Sequence, residues 1–245
     1  MALLIKTFNI VLYQPLFNLL VLLYQYLPGH DFGVAVIILT VIIRFVLYPL
    51  MTQSIKSQKI LSELQPKIQE IQQKYKGDKE AQAKETMALY QKEKINPFGG
   101  CLPLLVQLPI LIALYQVFWK GLQPGAMNYL YSFMPNPGEI NPLFLGVLNL
   151  SHPNLVLAII AGLSQFYQTK TMTFRQKSKE EGPKKKDQMT QLSETMQKQM
   201  LYFFPVFTVF ILWKLPAAIG LYWIVTTLFS IIQQRLILKT HVQPK

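Results

Sequence analysis

Cysteine occurs once in the 245 residues, at Cys101, so no disulfide can form within the chain. That single cysteine reads as a small apolar filler. Histidine occurs three times, at His30, His152 and His241, too far apart in sequence for a metal-ligand spacing. No glycine-rich phosphate loop and no nucleophile motif is found. These absences set the expectation of no metal, no cofactor and no enzyme chemistry. Acids are scarce, 12 against 24 Lys and Arg, which leaves a formal charge of +12. The most informative absence is local: the long apolar runs contain no Asp and no Glu.

Those runs predict an all-α polytopic membrane protein, because a bilayer crossing needs about 20 apolar residues. Five stretches qualify, at 33–53, 97–119, 155–172, 196–213 and 216–238. The fourth is the shortest in strictly apolar content and carries Pro205. Loop charges set the orientation. Nine Lys fall in Lys56–Lys94, eight Lys or Arg in Lys170–Lys198, and Arg235, Lys239 and Lys245 close the chain, twenty of the 24 in all. The alternate loops hold only Lys120, Glu139 and Lys214. The N-terminus is therefore expected outside, and the tail 239–245 and the basic loop 173–195 in the cytoplasm. The positive charge is mostly this bias and calls for no DNA partner.

Residues 1–30 are apolar enough to insert, yet Gln14, Asn18 and Gln25 share one helical face and Pro15 interrupts the run. An amphipathic helix lying in the outer interface fits this pattern. A sixth span with Lys6 inside is the alternative. An extracytoplasmic loop occupies 120–153.

Arg44 stands in the middle of "ILTVIIRFVLYPL". A charge at the centre of a bilayer costs at least about 2.5–3.5 kcal/mol on insertion scales. Without an acid in any span it has no intramembrane carboxylate partner, and arginine stays protonated. On a straight helix Lys56 lies about 18 Å away, too far for snorkelling to the surface. The residue therefore argues for a water-filled cavity cut into the membrane from one side, with a structural tether to backbone carbonyls as the alternative. Thr40, Arg44, Tyr48 and Thr52 follow one another at i+4. A second stripe runs Trp223, Thr226 or Thr227, Ser230, then Gln233 or Gln234. Gln107 sits between Pro103 and Pro109, and Gln165 and Gln168 lie in the third span. Polar faces avoid lipid, so these are expected to turn inward together.

Between the first two spans, Leu61, Leu64, Ile68, Ile71 and Tyr75 are spaced 3-4-3-4, a heptad seam. "KGD" at Lys76–Asp78 is a turn signal. A second helix follows, with Ala83, Met87 and Tyr90 as its expected seam. The spacing predicts an antiparallel cytoplasmic hairpin over 55–95, kinked or interrupted at Pro66. It is either a docking arm for incoming chains, with Leu61, Leu64, Ile68 and Ile71 as its seam, or a solvated connector. The run "KSKEEGPKKKDQ", Lys177–Gln188, suits anionic lipid or ribosomal RNA, or is simply a solvated loop.

These motifs together resemble the core of the YidC family of membrane protein insertases, which includes the mitochondrial Oxa and chloroplast Albino proteins. "YQPLFNLL", "IILTVIIRFVLYPL", "LQPKIQEIQQKY", "MALYQKEKINPFGGCLPLLVQLPI", "MLYFFPVFTVFILW" and "GLYWIVTTLFSIIQQRLI" carry the likeness, from Tyr13 to Lys239. The turn "ILWKLPAAIG" departs by one extra residue. The resemblance implies five core helices around a hydrophilic groove, open to cytoplasm and lipid and closed to the outside. It implies that Arg44 and Gln107 are groove residues and that Trp223 contributes as in some members. Thr40, Tyr48, Gln165, Gln168, Thr227 and Ser230 join them on the stripe argument. The implied partners are nascent membrane proteins and the lipid bilayer, with the ribosome, the signal recognition particle pathway and the Sec translocon as further candidates. The implied location is the bacterial cytoplasmic (inner) membrane.

Two other classes stay open on sequence. An anion transporter would use Arg44, although the spans lack the acids and histidines that transporters commonly carry. A non-inserting assembly factor would use the same polar faces for packing.

Overall fold

The computed structural model describes residues 2–93, 96, 99, 102–123, 125–173 and 199–240. The expectations for Cys101, for the basic loop and for most of the tail lie outside these residues. So do the first residues of the second and fourth predicted spans.

Helix α1 (Ala2–Phe8) runs through a π-helical turn at Asn9–Tyr13 into α2 (Gln14–Tyr26). Pro15 follows closely on this π-helical turn, and the helix runs on through it to Tyr26. By length and composition, Ile5–Tyr26 is long and apolar enough to cross a membrane. A short 3-10 turn at Pro28–His30, with Gly29 at φ +81°, reverses the chain into α3 (Phe32–Val46). Asp31 caps α3, accepting a hydrogen bond from the Val34 N–H at 2.9 Å.

The first predicted span is not one straight helix. Helix α3 stops at Val46, and α4 (Tyr48–Lys74) leaves it at 64°. Pro49 explains the break: it has no N–H to give to the Phe45 carbonyl, and its ring would clash there, so it sits in the first turn of a new helix. Pro66, where a kink was expected, lies inside α4 without interrupting it. Helix α5 (Lys79–Lys92) returns after a turn that contains Gly77 at φ +95°.

Helix α6 (Leu102–Lys120) occupies the second predicted span and α7 (Leu155–Thr173) the third. The fourth contains a π-helical turn, Gln199–Phe203, leading into α8 (Phe204–Leu212). The fifth contains α9 (Ala217–Thr240). Where α7 meets α8, Gly162 allows the approach: a Cβ there would stand 2.4 Å from a Val209 methyl carbon and 3.0 Å from the Pro205 carbonyl oxygen.

The core lies where α2, α3, α6, α7 and α9 meet, and holds Phe17, Leu20, Val36, Leu39, Leu114, Val117, Ala161 and Ile219, all buried. One end of it is closed by the segment between α6 and α7. That segment contains a 3-10 turn, Ala126–Tyr129, and a two-residue β-hairpin, Leu143–Phe144 with Leu148–Asn149, in the register Leu143 to Asn149. It is bound on three sides. The Ala217 and Ala218 N–H groups, otherwise orphaned at the start of α9, donate to the carbonyls of His152 (3.0 Å) and Leu150 (3.1 Å). Asp31 also accepts from the Leu145 N–H. The Asn18 amide donates to the Tyr129 carbonyl (3.0 Å), and its oxygen accepts from the Tyr131 N–H (2.8 Å). Gln14 and Gln25 donate to the carbonyls of Tyr129 and Pro135. The polar face of residues 1–30 is thus spent on loop backbone rather than left to solvent, and Asn18 is buried.

Candidate functional site: a polar seam around Arg44

Arg44 falls in the last turn of α3, one turn before the bend. Its depth therefore cannot be judged by counting along a straight helix to Lys56. Its place also supplies a favourable field. The last carbonyls of a helix carry partial negative charge, worth about 0.3–1 kcal/mol to a cation and up to about 2 when partly buried. Only 7% of the residue is exposed. Among the described residues its guanidinium has no hydrogen-bond or ion-pair partner. The Tyr222 hydroxyl of α9 lies within electrostatic reach of it. Gln107 of α6 donates in turn to the Tyr222 hydroxyl. One cation, one phenol and one amide from α3, α9 and α6 thus form the first half of the seam.

The second half lies on a neighbouring face of α9. The Gln165 side-chain oxygen on α7 accepts from the Thr208 hydroxyl of α8 at 2.8 Å and from the Trp223 indole N–H of α9 at 2.9 Å. Tyr222 and Trp223 are adjacent in sequence and about 100° apart around the helix, so they divide the polar residues between two neighbouring seams.

The remaining predicted residues behave differently. Thr40 is only 1% exposed, and its hydroxyl donates to the Val36 carbonyl at 2.7 Å. The hydroxyls of Thr227 and Ser230 donate to the carbonyls of Trp223 (2.8 Å) and Thr226 (2.9 Å). All three are satisfied by their own helix four residues back, and are buried. Gln168 is half-buried, and its side chain has no hydrogen bond among the described residues. Tyr48 stands past the bend, at the start of α4, so it does not continue the Thr40–Arg44 stripe. Its carbonyl accepts from Gln233 at 3.1 Å and its ring meets Phe229 edge-on.

Sequence reasoning missed Tyr222 and Thr208 and left Gln233 undecided. Gln233 is 2% exposed and also donates to the Thr52 hydroxyl at 3.1 Å, fastening α9 to the first turns of α4. A signal for Tyr222 was present. Tyr222, Thr226, Ser230 and Gln233 or Gln234 recur at spacings of 4, 4 and 3 or 4, and every one is buried. The inward stripe of α9 starts one residue before Trp223. Within it, the Thr226 hydroxyl is buried without a hydrogen bond among the described residues.

The hairpin forms as expected on its first helix and shifts on its second. Leu64 and Ile68 are buried, while Leu61 and Ile71 are half-buried. On α5, of the expected seam residues, Ala83 and Met87 are exposed and Tyr90 is half-buried; Ala81, Gln82, Glu85, Thr86 and Leu89 are half-buried as well. The reason lies in the turn. Asp78 caps α5 through the Ala81 N–H at 2.9 Å, and the Gln82 amide donates to the carbonyls of Gln72 and Tyr75 at 3.0 Å each. Those bonds rotate α5 so that Gln82 rather than Ala83 faces its partner. Lys67 and Glu93 pair at 2.8 Å near the open end and hold Glu93's carboxyl below the usual carboxylate range.

Known proteins resemble this chain along most of its length. The family model described as "60Kd inner membrane protein" matches residues 22–244. A Fusobacterium nucleatum protein named "Membrane protein insertase YidC" is 35% identical over 209 residues, covering 85% of this chain and 87% of that protein. One of the same name from Oceanobacillus iheyensis is 35% identical, covering 89% and 78%. One from Geobacter metallireducens is 36% identical over 94% of this chain, which spans 37% of that longer protein. A solved structure, "Active YidC insertase crystal structure with the first transmembrane domain resolved", superposes with a TM-score of 0.56 at 26% identity. It covers 95% of this chain and 47% of that one. The resemblance carried by the arginine span and the "NPFGGCLPLLVQLPI" stretch is thereby borne out. A match along most of the chain makes this bacterial membrane protein a member of the 60Kd inner membrane protein family, to which the YidC membrane protein insertases belong.

Proposed function

We propose that this chain is a membrane protein insertase that works by receiving the polar flank of a nascent membrane protein beside Arg44 and releasing its apolar segment sideways into lipid. The observation that carries the reading is the buried guanidinium with no carboxylate and no hydrogen-bond partner among the described residues. A cation so placed is costly unless water or an arriving anion compensates it. Five core helices, α3, α6, α7, α8 and α9, form the walls of the proposed groove. The segment between α6 and α7 plugs one end, which supports a groove closed to the outside and open to the cytoplasm. In this reading the N-terminus is outside, the C-terminus and basic loops are cytoplasmic, and residues 1–30 lie in the outer interface.

The energetics follow from partition. A substrate's polar flank entering a hydrated groove loses less solvation than one entering hydrocarbon. Its apolar segment then gains roughly 25 cal/mol for each Å² removed from water, which drives release into lipid. A potential positive outside assists an acidic flank by about 2.3 kcal/mol per charge per 100 mV and opposes a basic one equally. The hairpin is placed to deliver substrate, and ribosome, signal recognition particle and Sec translocon are the proposed suppliers.

The test is insertion of one single-span substrate carrying zero, one or two acids in its translocated flank. Arg44→Lys keeps the charge and is expected to retain most activity. Arg44→Ala is expected to impair the two-acid substrate most and the neutral one least, at unchanged membrane levels of the protein. Loss independent of acid count, with Lys as damaging as Ala and protein levels reduced, would make Arg44 a structural tether.

A further inference from the structure

A cleft of about 410 Å³ opens between the far ends of α7 and α9, lined by Tyr167, Lys170, Thr171, Gln234, Arg235 and two apolar residues of α9. It lies apart from the Arg44 seam and plays no part in the proposed insertion chemistry. Both helices start at the plugging segment, through the bonds of Ala217 and Ala218 to Leu150 and His152. They therefore run parallel and bring their C-terminal turns, with Lys170 and Arg235, to the same end of the molecule.

Three features of the cleft point to one ligand chemistry. Its lining includes two cations and no acid among the described residues. Arg235 is oriented rather than loose: it donates to the Tyr167 hydroxyl at 2.5 Å and lies 5.9 Å from the centroid of that ring. A guanidinium has five N–H donors in a planar fork that suits phosphate oxygens. Apart from the bond to Tyr167, no hydrogen bond or ion pair occupies this fork among the described residues. The last feature separates a lipid from a soluble anion. One to two turns back along each helix the surface is apolar and open, with Leu163 63% exposed on α7 and Leu228 and Ile232 49% and 60% exposed on α9. A phosphate site with an exposed apolar lane leading away from it matches a molecule that has a charged head and hydrocarbon chains.

The geometry points to a binding site for one anionic phospholipid, its phosphate between Lys170 and Arg235 and an acyl chain along Leu163 and Leu228. Its assignment to the cytoplasmic leaflet rests on the orientation proposed above; binding itself does not.

The full chain in detergent micelles, examined by native mass spectrometry, provides the test, and needs neither orientation nor insertion activity. Phosphatidylglycerol and phosphatidylcholine with identical acyl chains are offered in competition. Preferential retention of one phosphatidylglycerol is expected, weakened about tenfold or more in Lys170→Gln/Arg235→Gln, since each basic residue contributes measurably to anionic-lipid attraction. Both side chains are exposed, so folding should survive; Lys170→Arg/Arg235→Lys, which exchanges the cations, is expected to keep the lipid. Equal retention of the two lipids, or unchanged retention in the double Gln variant, overturns the site. Displacement by inorganic phosphate as effective as displacement by phosphatidylglycerol overturns the lipid assignment.

Discussion

Gln165 joins three helices through a single oxygen, and its removal has a calculable consequence. In Gln165→Leu, the Trp223 indole and the Thr208 hydroxyl both lose their acceptor. The two losses are unequal. A threonine in a helix can turn its hydroxyl to the carbonyl four residues back, here that of Phe204, so its loss is a few tenths of a kcal/mol. An indole N–H has no such alternative, and leaving it unpaired costs about 1–3 kcal/mol. The expected destabilisation is therefore roughly 1.5–3 kcal/mol, dominated by Trp223. Trp223→Phe removes the donor and much of the ring, so its own effect mixes hydrogen bonding with packing. The double variant Gln165→Leu/Trp223→Phe separates them, because the cost of the orphaned indole vanishes. Interhelix bonds in membranes couple by about 0.6 kcal/mol on average and at most about 1.7. With a shared acceptor, a coupling near 1 kcal/mol is expected, about fivefold in the unfolding equilibrium. Reversible unfolding in mixed micelles would measure it for the wild type, both singles and the double. Strictly additive singles would show that this junction does not hold α7 to α9.

Three further outcomes are expected. Gly162→Val places a Cβ 2.4 Å from Val209 and 3.0 Å from the Pro205 carbonyl, so α8 must move off α7; a loss of about 1–3 kcal/mol by overpacking is expected from the same unfolding assay, and wild-type stability would contradict the close approach. Leu64→Asp/Ile68→Asp puts two carboxylates into the buried seam of the hairpin, and is expected to raise hydrogen exchange across α4 and α5 and slow substrate insertion while the membrane level of the protein stays normal. Glu93 is held below its ordinary range by Lys67, so its contribution to the hairpin is present above the unfolded carboxylate value of about 4.3 and disappears as pH falls through the lower folded value; hairpin protection factors, which correct exchange for its intrinsic slowing at lower pH, should fall in that window, and Lys67→Ala should abolish the step.

The membrane class and the largely helical fold were legible because hydrophobic period and charge placement are local properties of the chain. The same holds for Arg44 and Gln107: a charge and an amide among apolar neighbours are conspicuous wherever the helices settle. Thr40, Thr227 and Ser230 were legible only as polar positions. Whether such a hydroxyl serves a groove or its own backbone depends on a rotamer, and here each turned back to the carbonyl four residues earlier. Ala83 and Met87 fitted a period as well as Gln82 and Thr86 did, and the capping bonds around Asp78 decided between them.

By itself the sequence determined what must be hidden from lipid and from water. The acid-free spans and the lysine-rich loops followed from composition, and from the energetic cost of charge in hydrocarbon. The tertiary structure alone decided how those obligations were met. It divided Tyr222 and Trp223 between two seams, and it brought Asn18 to the backbone of a loop more than a hundred residues away. Periodicity specifies which face of a helix is polar, but the partner of that face is a long-range contact, and only packing of the whole chain selects it.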